Sequence, residues 1–324
     1  MAFTPSQTKR HPSIGTVANT KKSKPTIINT FKRDYQLWLL IFPAIVCVLI
    51  FNYIPMYGIQ LAFREYDFTA GLTGGEWVGF KYFSQFLNSH MFWDLIRNTL
   101  VISITTILVG FPAPIALALL VNQIKWKKGK KILQTTVYLP HFISIVVLVG
   151  LLNVLLSPNT GIIGHLISAF GFENSNLLAS VKAFVPVYVL SDVWQHVGWN
   201  SIIYLAALSG VDPQLYDSAK VDGASRWQII KNVEIPAIIP TIIILLILNM
   251  GSIISTGFEK IFLMQNSLNL PVSEVIETYV YKIGIISNQF SYAAAIGLFN
   301  TLINFSLLLL MNYIAKRSSK ISLW

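Results

Sequence analysis

The chain has little charge. Of its 324 residues only 12% are Asp, Glu, Lys or Arg, about half the ~25% of a soluble globular domain. A chain this poor in charge cannot clothe its surface in water, which excludes an ordinary soluble protein. Cysteine is almost absent: Cys47 stands alone in an apolar run, so no intrachain disulfide can form, and it reads as a small lipid- or helix-facing residue rather than a reactive thiol. His11, His90, His141 and His165 are scattered without metal-ligand spacing, so no metal site is expected. The catalytic signatures H-E-x-x-H and G-x-S-x-G are missing, and so is the phosphate-binding loop G-x-x-x-x-G-K-[ST]. This chain therefore binds no nucleotide cofactor and hydrolyses no ATP of its own. The net charge of +10 raises nucleic acid as a partner, but that would need a basic face with interleaved aromatics. Here the charges sit in short clusters between apolar runs, so no nucleic acid is expected.

What is abundant is hydrophobicity: 54% of residues, with a mean hydropathy of +0.60. A spanning helix needs about 20 mainly apolar residues. Six stretches qualify, at 37–63, 98–121, 132–156, 184–209, 237–257 and 292–315, each flanked by charge, proline or glycine. Trp38, Tyr66, Trp126, Tyr138, Trp194, Tyr292 and Tyr313 stand near their ends, as an interfacial aromatic belt requires. The fold class expected is all-α, a polytopic membrane protein of six transmembrane helices. No internal repeat of the kind seen in secondary transporters is visible.

Orientation follows from basic residues. With the N-terminus inside, the tail contributes seven (Lys9, Arg10, Lys21, Lys22, Lys24, Lys32, Arg33) and the 122–131 loop five. The 210–236 loop and the C-terminus add three each, so 18 of 24 lie inside and 6 outside. The positive-inside rule then puts both termini in the cytoplasm. Residues 1–35 lack a short apolar core and cleavage site and are expected to be a disordered basic tail rather than a signal peptide. Residues 36–315 form the membrane domain and 316–324 a second cytoplasmic tail. The outer segment Val272 to Gly284 is expected to form a short surface helix.

The most informative segment lies in the 210–236 loop. It runs Asp217-Ser218-Ala219-Lys220-Val221-Asp222-Gly223-Ala224, followed by Ile235-Pro236 and Pro240. Asp212 before Pro213 suits an N-cap and first helical position, so Leu215 to Val221 should form a short helix. Gly223 supplies a φ > 0 turn, Ala224 to Val233 can form a second helix, and Ile235-Pro236 should end it. Read blandly, this is a cytoplasmic connector with ordinary turn chemistry, and neither D-G-A nor a pair of prolines means much alone.

In combination these residues resemble the EAA motif of ABC importer permeases, E-A-A-x-x-D-G-A…I-x-L-P-x-x-x-P. Asp217 and Ser218 stand for the commoner Glu and Ala, and Ile235 for Leu. Tyr204-Leu205-Ala206-Ala207-Leu208, Arg97-Asn98-Thr99-Leu100 and Leu139-Pro140 look like the sugar-type importers, more narrowly the LplB-like permeases of oligosaccharide systems. The similarity covers about residues 36–315. The resemblance implies the type I ABC importer permease fold in the bacterial inner membrane, with this loop as the coupling loop. Implied partners are a second, homologous permease, two ATPases that hold ATP and Mg, and an extracytoplasmic solute-binding protein that delivers an oligosaccharide. ATP can bias such a permease only through its different affinity for the two states, and the loop is where that bias would cross.

Ionisable residues inside spans mark function by default. Asp192 and His196 share a helical face, with Trp194, Gln195, Trp199 and Asn200 nearby. They can form a wall of the translocation cavity or, equally, an interhelical pair near the outer end of the span. Asn249 and the Glu259-Lys260 pair on the fifth span are further cavity candidates, whereas Asn300 and Asn304 read as interhelical glue. Some LplB-like systems carry acidic sugars such as alginate or pectin fragments. The outer loops give that no support, holding eight acidic residues against six basic ones. The rivals are a secondary transporter, which would need ion-coupling residues and no ATPase, a permease for a non-sugar solute, and a membrane-embedded enzyme, for which only Asp192 and His196 come near.

Overall fold

The computed structural model describes residues 35–69, 71, 74–158, 161–169, 176–255 and 257–319. Most of both expected tails, 1–34 and 320–324, lies outside them. Among the described residues the chain is helical and has no strand, only two isolated bridges, Arg64 with Trp77 and Asp67 with Gly71. The chain divides into two units, Met1–Tyr57 and Gly58–Trp324.

In the first unit, helix α1 (Tyr35–Val48) is apolar all round and buries no residue. A surface of this kind is stable only against lipid or another protein. Its helix continues through a π turn at Leu49–Tyr53, so the helical run Tyr35–Phe63 is long enough to span a bilayer.

The second unit carries the remaining helices. They are α2 (Lys81–Leu87), α3 (Phe92–Gly110), α4 (Pro112–Asn122), α5 (Lys127–Tyr138), α6 (Ile145–Leu155) and α7 (Ile162–Ala169). Then follow α8 (Phe184–Ser209), α9 (Pro213–Val221), α10 (Arg226–Ile229) and α11 (Ile235–Met250). The last four are α12 (Phe258–Met264), α13 (Leu270–Ser273), α14 (Ile276–Tyr281) and α15 (Phe290–Ser319).

Four helical runs are long and apolar enough to cross a membrane: Tyr35–Phe63, Phe92–Asn122, Arg226–Met250 and Phe290–Arg317. Two of the six expected spans differ from these. The stretch expected as one span at 132–156 is broken, α5 and α6 meeting at a 98° bend. Pro140 has no N–H to continue the ladder, and Ser144, extended at ψ 149°, accepts from Val147 N–H to start a fresh helix. The stretch at 184–209 is one helix of 26 residues, about 39 Å long. It is long enough to span but too polar to rank with the apolar four, because Asp192, Gln195, His196 and Asn200 interrupt it. The fifth span also stops early: α11 ends at Met250, and residues 251–254 form turns.

Helix α8 is central because it meets three neighbours. Phe184, Tyr188 and Val189 pack with Ile102 of α3, Val149 of α6 and Ile261 of α12. Further along, Tyr204 and Leu208 pack with Ala118 and Leu119 of α4 and Ile238 of α11. A third cluster joins Phe86, Leu95, Ile276, Tyr292 and Ile296, tying α2, α3, α14 and α15. Gly198 lets α8 lie directly on α5, since a Cβ there would stand 1.9 Å from the Val137 carbonyl oxygen.

Candidate translocation cavity and coupling loop

The polar face of α8 opens into a cleft of about 230 Å³ between α3–α4 and α11. Asp192, His196 and Asn200 line it from α8, Asn249 from α11 and Thr106 from α3. A second cleft of about 210 Å³ shares Asp192, Thr106 and Asn249, so the two form one polar channel wall. The Thr106 hydroxyl and that of its neighbour Ser103 are buried without a hydrogen-bond partner among the described residues. Buried donors of that kind are costly unless something visits them.

Asp192 is held by charge. Its Oδ1 lies 3.3 Å from Lys260 Nζ and 3.4 Å from His196 Nδ1, and the same His196 nitrogen is 3.1 Å from the Asp192 carbonyl oxygen. Lys260 is buried; its ammonium also donates to the Tyr188 carbonyl at 3.2 Å and sits 4.7 Å above the Tyr188 ring. The expected Glu259-Lys260 pair on the fifth span is therefore corrected. Both residues lie on α12, beyond the end of that span; Glu259 is exposed and Lys260 turns inward to Asp192. A lysine 68 residues away gives no local signal, although an acid within a span does demand a counter-charge.

The remaining cavity candidates do not converge. Gln195 is buried and donates to the Ile143 carbonyl at 2.8 Å, satisfying the backbone where the α5–α6 span breaks. Trp199 stacks on His141 with ring centroids 4.5 Å apart, and Trp194 projects from the helix half-exposed. Asn304 Oδ1 accepts from Ile254 N–H at 3.0 Å, joining α15 to the turn after α11 as interhelical glue should.

The loop between α8 and α11 folds largely as its spacing predicts. Asp212 caps α9, its carboxylate accepting from Gln214 N–H at 2.9 Å. At the other end Gly223 has φ +72°, and the Gly223 and Ala224 N–H groups donate to the Lys220 and Ala219 carbonyls. Ser225 and Gln228 form a reciprocal capping box that starts α10. Asp217, Ser218 and Asp222 are exposed, Ala219 and Ala224 partly so. Val221 and Trp227 stand 87% and 69% exposed on either side of the Gly223 turn, an apolar pair with nothing to cover it.

One expectation fails here. Ile235-Pro236 does not end the second helix; the chain is helical from Arg226 through Met250. A π turn at Ile230–Glu234 widens the helix just before Pro236, which absorbs the missing N–H and the ring. Ile235, Pro236 and Pro240 consequently belong to α11 and not to a loop.

That π turn also buries a carboxylate that sequence reasoning missed. Glu234 is 1% exposed, and its Oε1 accepts from Asn122 Nδ2 at 2.7 Å. Gln123 Nε2 donates to Oε1 and Oε2 at 2.9 and 3.0 Å, and the Tyr216 hydroxyl reaches Oε1 at 3.4 Å. The signal available in sequence was a lone acid at the mouth of the apolar run IPAIIPTIIILLIL.

Comparison with known proteins agrees with this architecture. Over 306 residues the chain is 40% identical to the polygalacturonan/rhamnogalacturonan transport system permease protein YteP of Bacillus subtilis, covering 94% of this chain and 95% of that one. It is 41% identical over 286 residues to protein LplB of the same organism, covering 88% and 90%. Among solved structures, a subunit of a bacterial ABC transporter involved in the import of the acidic polysaccharide alginate superposes with TM-score 0.83 at 39% identity, over 90% of this chain and 99% of that one. The same system in complex with its alginate pentasaccharide-bound periplasmic protein gives TM-score 0.84 at 39% identity, over 92% and 99%. Residues 110–320 match the family model described as binding-protein-dependent transport system inner membrane component. With relatives this similar along nearly its whole length, the chain belongs to the binding-protein-dependent transport system inner membrane components, the permease subunits of ABC importers.

Proposed function

We propose that this chain forms half of the translocation pathway of an ATP-driven importer for an acidic oligosaccharide. The observation that carries the reading is the polar wall on α8, Asp192, His196 and Asn200 facing Asn249 and Thr106 inside an otherwise apolar helix pack. Hydroxyl-rich rings suit such a wall, with its unpartnered Thr106 and Ser103 hydroxyls. The cleft of about 230 Å³ is smaller than the roughly 300–1,000 Å³ of a complete ligand site. A second, homologous permease supplies the facing wall in this reading.

Six spans carry the pathway: the four apolar runs, the broken α5–α6 pair and α8. Both termini lie in the cytoplasm, in keeping with the basic residues of the inner loops. The α9–turn–α10 loop is the coupling loop, gripped by one of two ATPases that bind ATP and Mg. Its exposed Val221 and Trp227 offer the apolar contact such a grip needs. Asp217, Ser218, Asp222 and Gly223 give the loop its polar, rigid shape, and an extracytoplasmic binding protein delivers the sugar on the other side.

The lean toward uronates rests on what the relatives carry: polygalacturonan or rhamnogalacturonan for one, alginate for another. The cavity does not add to it, since Lys260 is spent on Asp192. A growth and uptake screen of a deletion strain decides, comparing neutral glucans with alginate and pectin fragments. Selective loss of one acidic oligosaccharide is the expected result. Loss of a neutral sugar instead would keep the importer and discard the uronate; no loss on any carbohydrate would remove the sugar assignment.

A further inference from the structure

Glu234 has no place in the cavity and none in the loop motif, yet it is among the most completely buried side chains of the chain. Among the described residues no lysine or arginine pairs with it; its partners are two carboxamides and a phenol. All of these are donors in this arrangement, and an acceptor-only group that takes several donors at once is an ionised carboxylate. Burying such a group is expensive unless every bond is made, so the surrounding groups are held where they stand.

Those groups come from three separate segments. Asn122 and Gln123 close α4, Tyr216 lies in the middle of α9, and Glu234 itself ends the π turn that feeds α11. Helix α9 buries no residue. Its other side-chain bonds among the described residues are local: Ser218 to the Gln214 and Leu215 carbonyls, and Lys220 to Asp217. The Tyr216 phenol is thus the polar link from α9 into the helix pack. Burial first, and the nearby Glu234 carboxylate second, push the Tyr216 phenol up, which keeps its O–H as a donor.

We infer that Glu234 is a positioning residue for transport, the knot through which a push on α9 reaches α4 and α11 together. This rests on the coupling-loop reading above. Without the knot, α9 is an exposed helix on two flexible joints and a partner's movement dissipates in it. With the knot, the same movement displaces the ends of two cavity-lining helices as one body, the rigid transmission that coupling between distant sites needs.

The test uses the whole importer, with its second permease and both ATPases, in lipid nanodiscs. Cys47 is first replaced by Ser, and spin labels are then placed at Val221→Cys on α9 and Leu120→Cys on α4, both exposed positions. Distances are measured without nucleotide and with Mg-ATP and vanadate. The knotted protein should give one narrow distance that nucleotide leaves unchanged. Glu234→Gln and Tyr216→Phe should broaden it and make it nucleotide-dependent, while the ATPases still co-purify. Uptake per ATP hydrolysed should fall at least about fivefold, the lower bound of typical coupling between sites. Glu234→Asp should restore part of the narrow distance, and the double variant should be no worse than Glu234→Gln alone.

An unchanged narrow distance in both single variants, with the importer assembled, would overturn the inference. Should Glu234→Gln fail to assemble, Tyr216→Phe decides, because it leaves the carboxylate with its amide bonds. The underlying reading fails separately: if Val221→Glu and Trp227→Glu leave ATPase association and uptake intact, the loop is not the coupling loop, whatever the label distances report.

Discussion

Asp192 and Glu234 are both carboxylates inside the helix pack, and they are satisfied in opposite ways. Asp192 keeps a quarter of its side chain exposed to the cleft and is balanced by two basic groups, Lys260 and His196. Glu234 is sealed and balanced by neutral donors. A charge beside a wet cavity can be met by another charge and still exchange partners when the cavity opens. A charge sealed against backbone and amides has no such freedom, since each lost bond leaves a buried group unpaired. The first arrangement suits a surface that must change, the second a joint that must not.

The comparison can be broken most easily at Lys260. Lys260→Met leaves the Asp192 carboxylate without its ammonium and should destabilise the chain by about 3–5 kcal/mol, the cost of removing one partner of a buried pair. Thermal unfolding in detergent measures it, and adding Asp192→Asn should recover most of the loss. If the single change were harmless, Asp192 would not depend on Lys260. Gln123→Leu attacks the other acid by removing two of its bonds; about 1–3 kcal/mol should be lost, with no recovery from any change on α12.

Gly223→Val comes next. Nothing lies within 4 Å of a Cβ at this site, so the penalty is purely the φ of +72°, on the order of 1–2 kcal/mol. The variant should still insert and should lose ATP-driven uptake; normal uptake would remove the argument for a rigid loop. The smallest change in stability is expected for Thr106→Val, within about 0.5 kcal/mol, because its hydroxyl has no partner to lose. Sugar uptake should nevertheless weaken in that variant. An equal and opposite pattern, with stability lost and uptake intact, would make Thr106 a packing residue.

How far each of these sites could be read from sequence differs in an instructive way. Asp212, Pro213, Gly223 and Ser225 act on residues two to four positions away, so cap and turn chemistry made α9 and its reversal legible. The same local logic misled at Ile235-Pro236, where the chain widens into a π turn and carries on. It also missed the 98° break at Pro140, because an apolar run looks the same whether it is straight or folded back. Of the cavity candidates, Asp192, His196 and Asn200 could be grouped by their helical spacing. Trp194, Gln195 and Trp199 sit at nearby positions on other faces, and only packing separates the faces.

By itself the sequence determined the membrane class, the approximate spans and the loop chemistry, since all three depend on solvent transfer and near-neighbour geometry. The tertiary structure alone decided which charges meet. Lys260 finds Asp192 across 68 residues and Asn122 finds Glu234 across 112, because buried charges must be satisfied by whatever the helix packing brings within hydrogen-bond reach, regardless of separation along the chain.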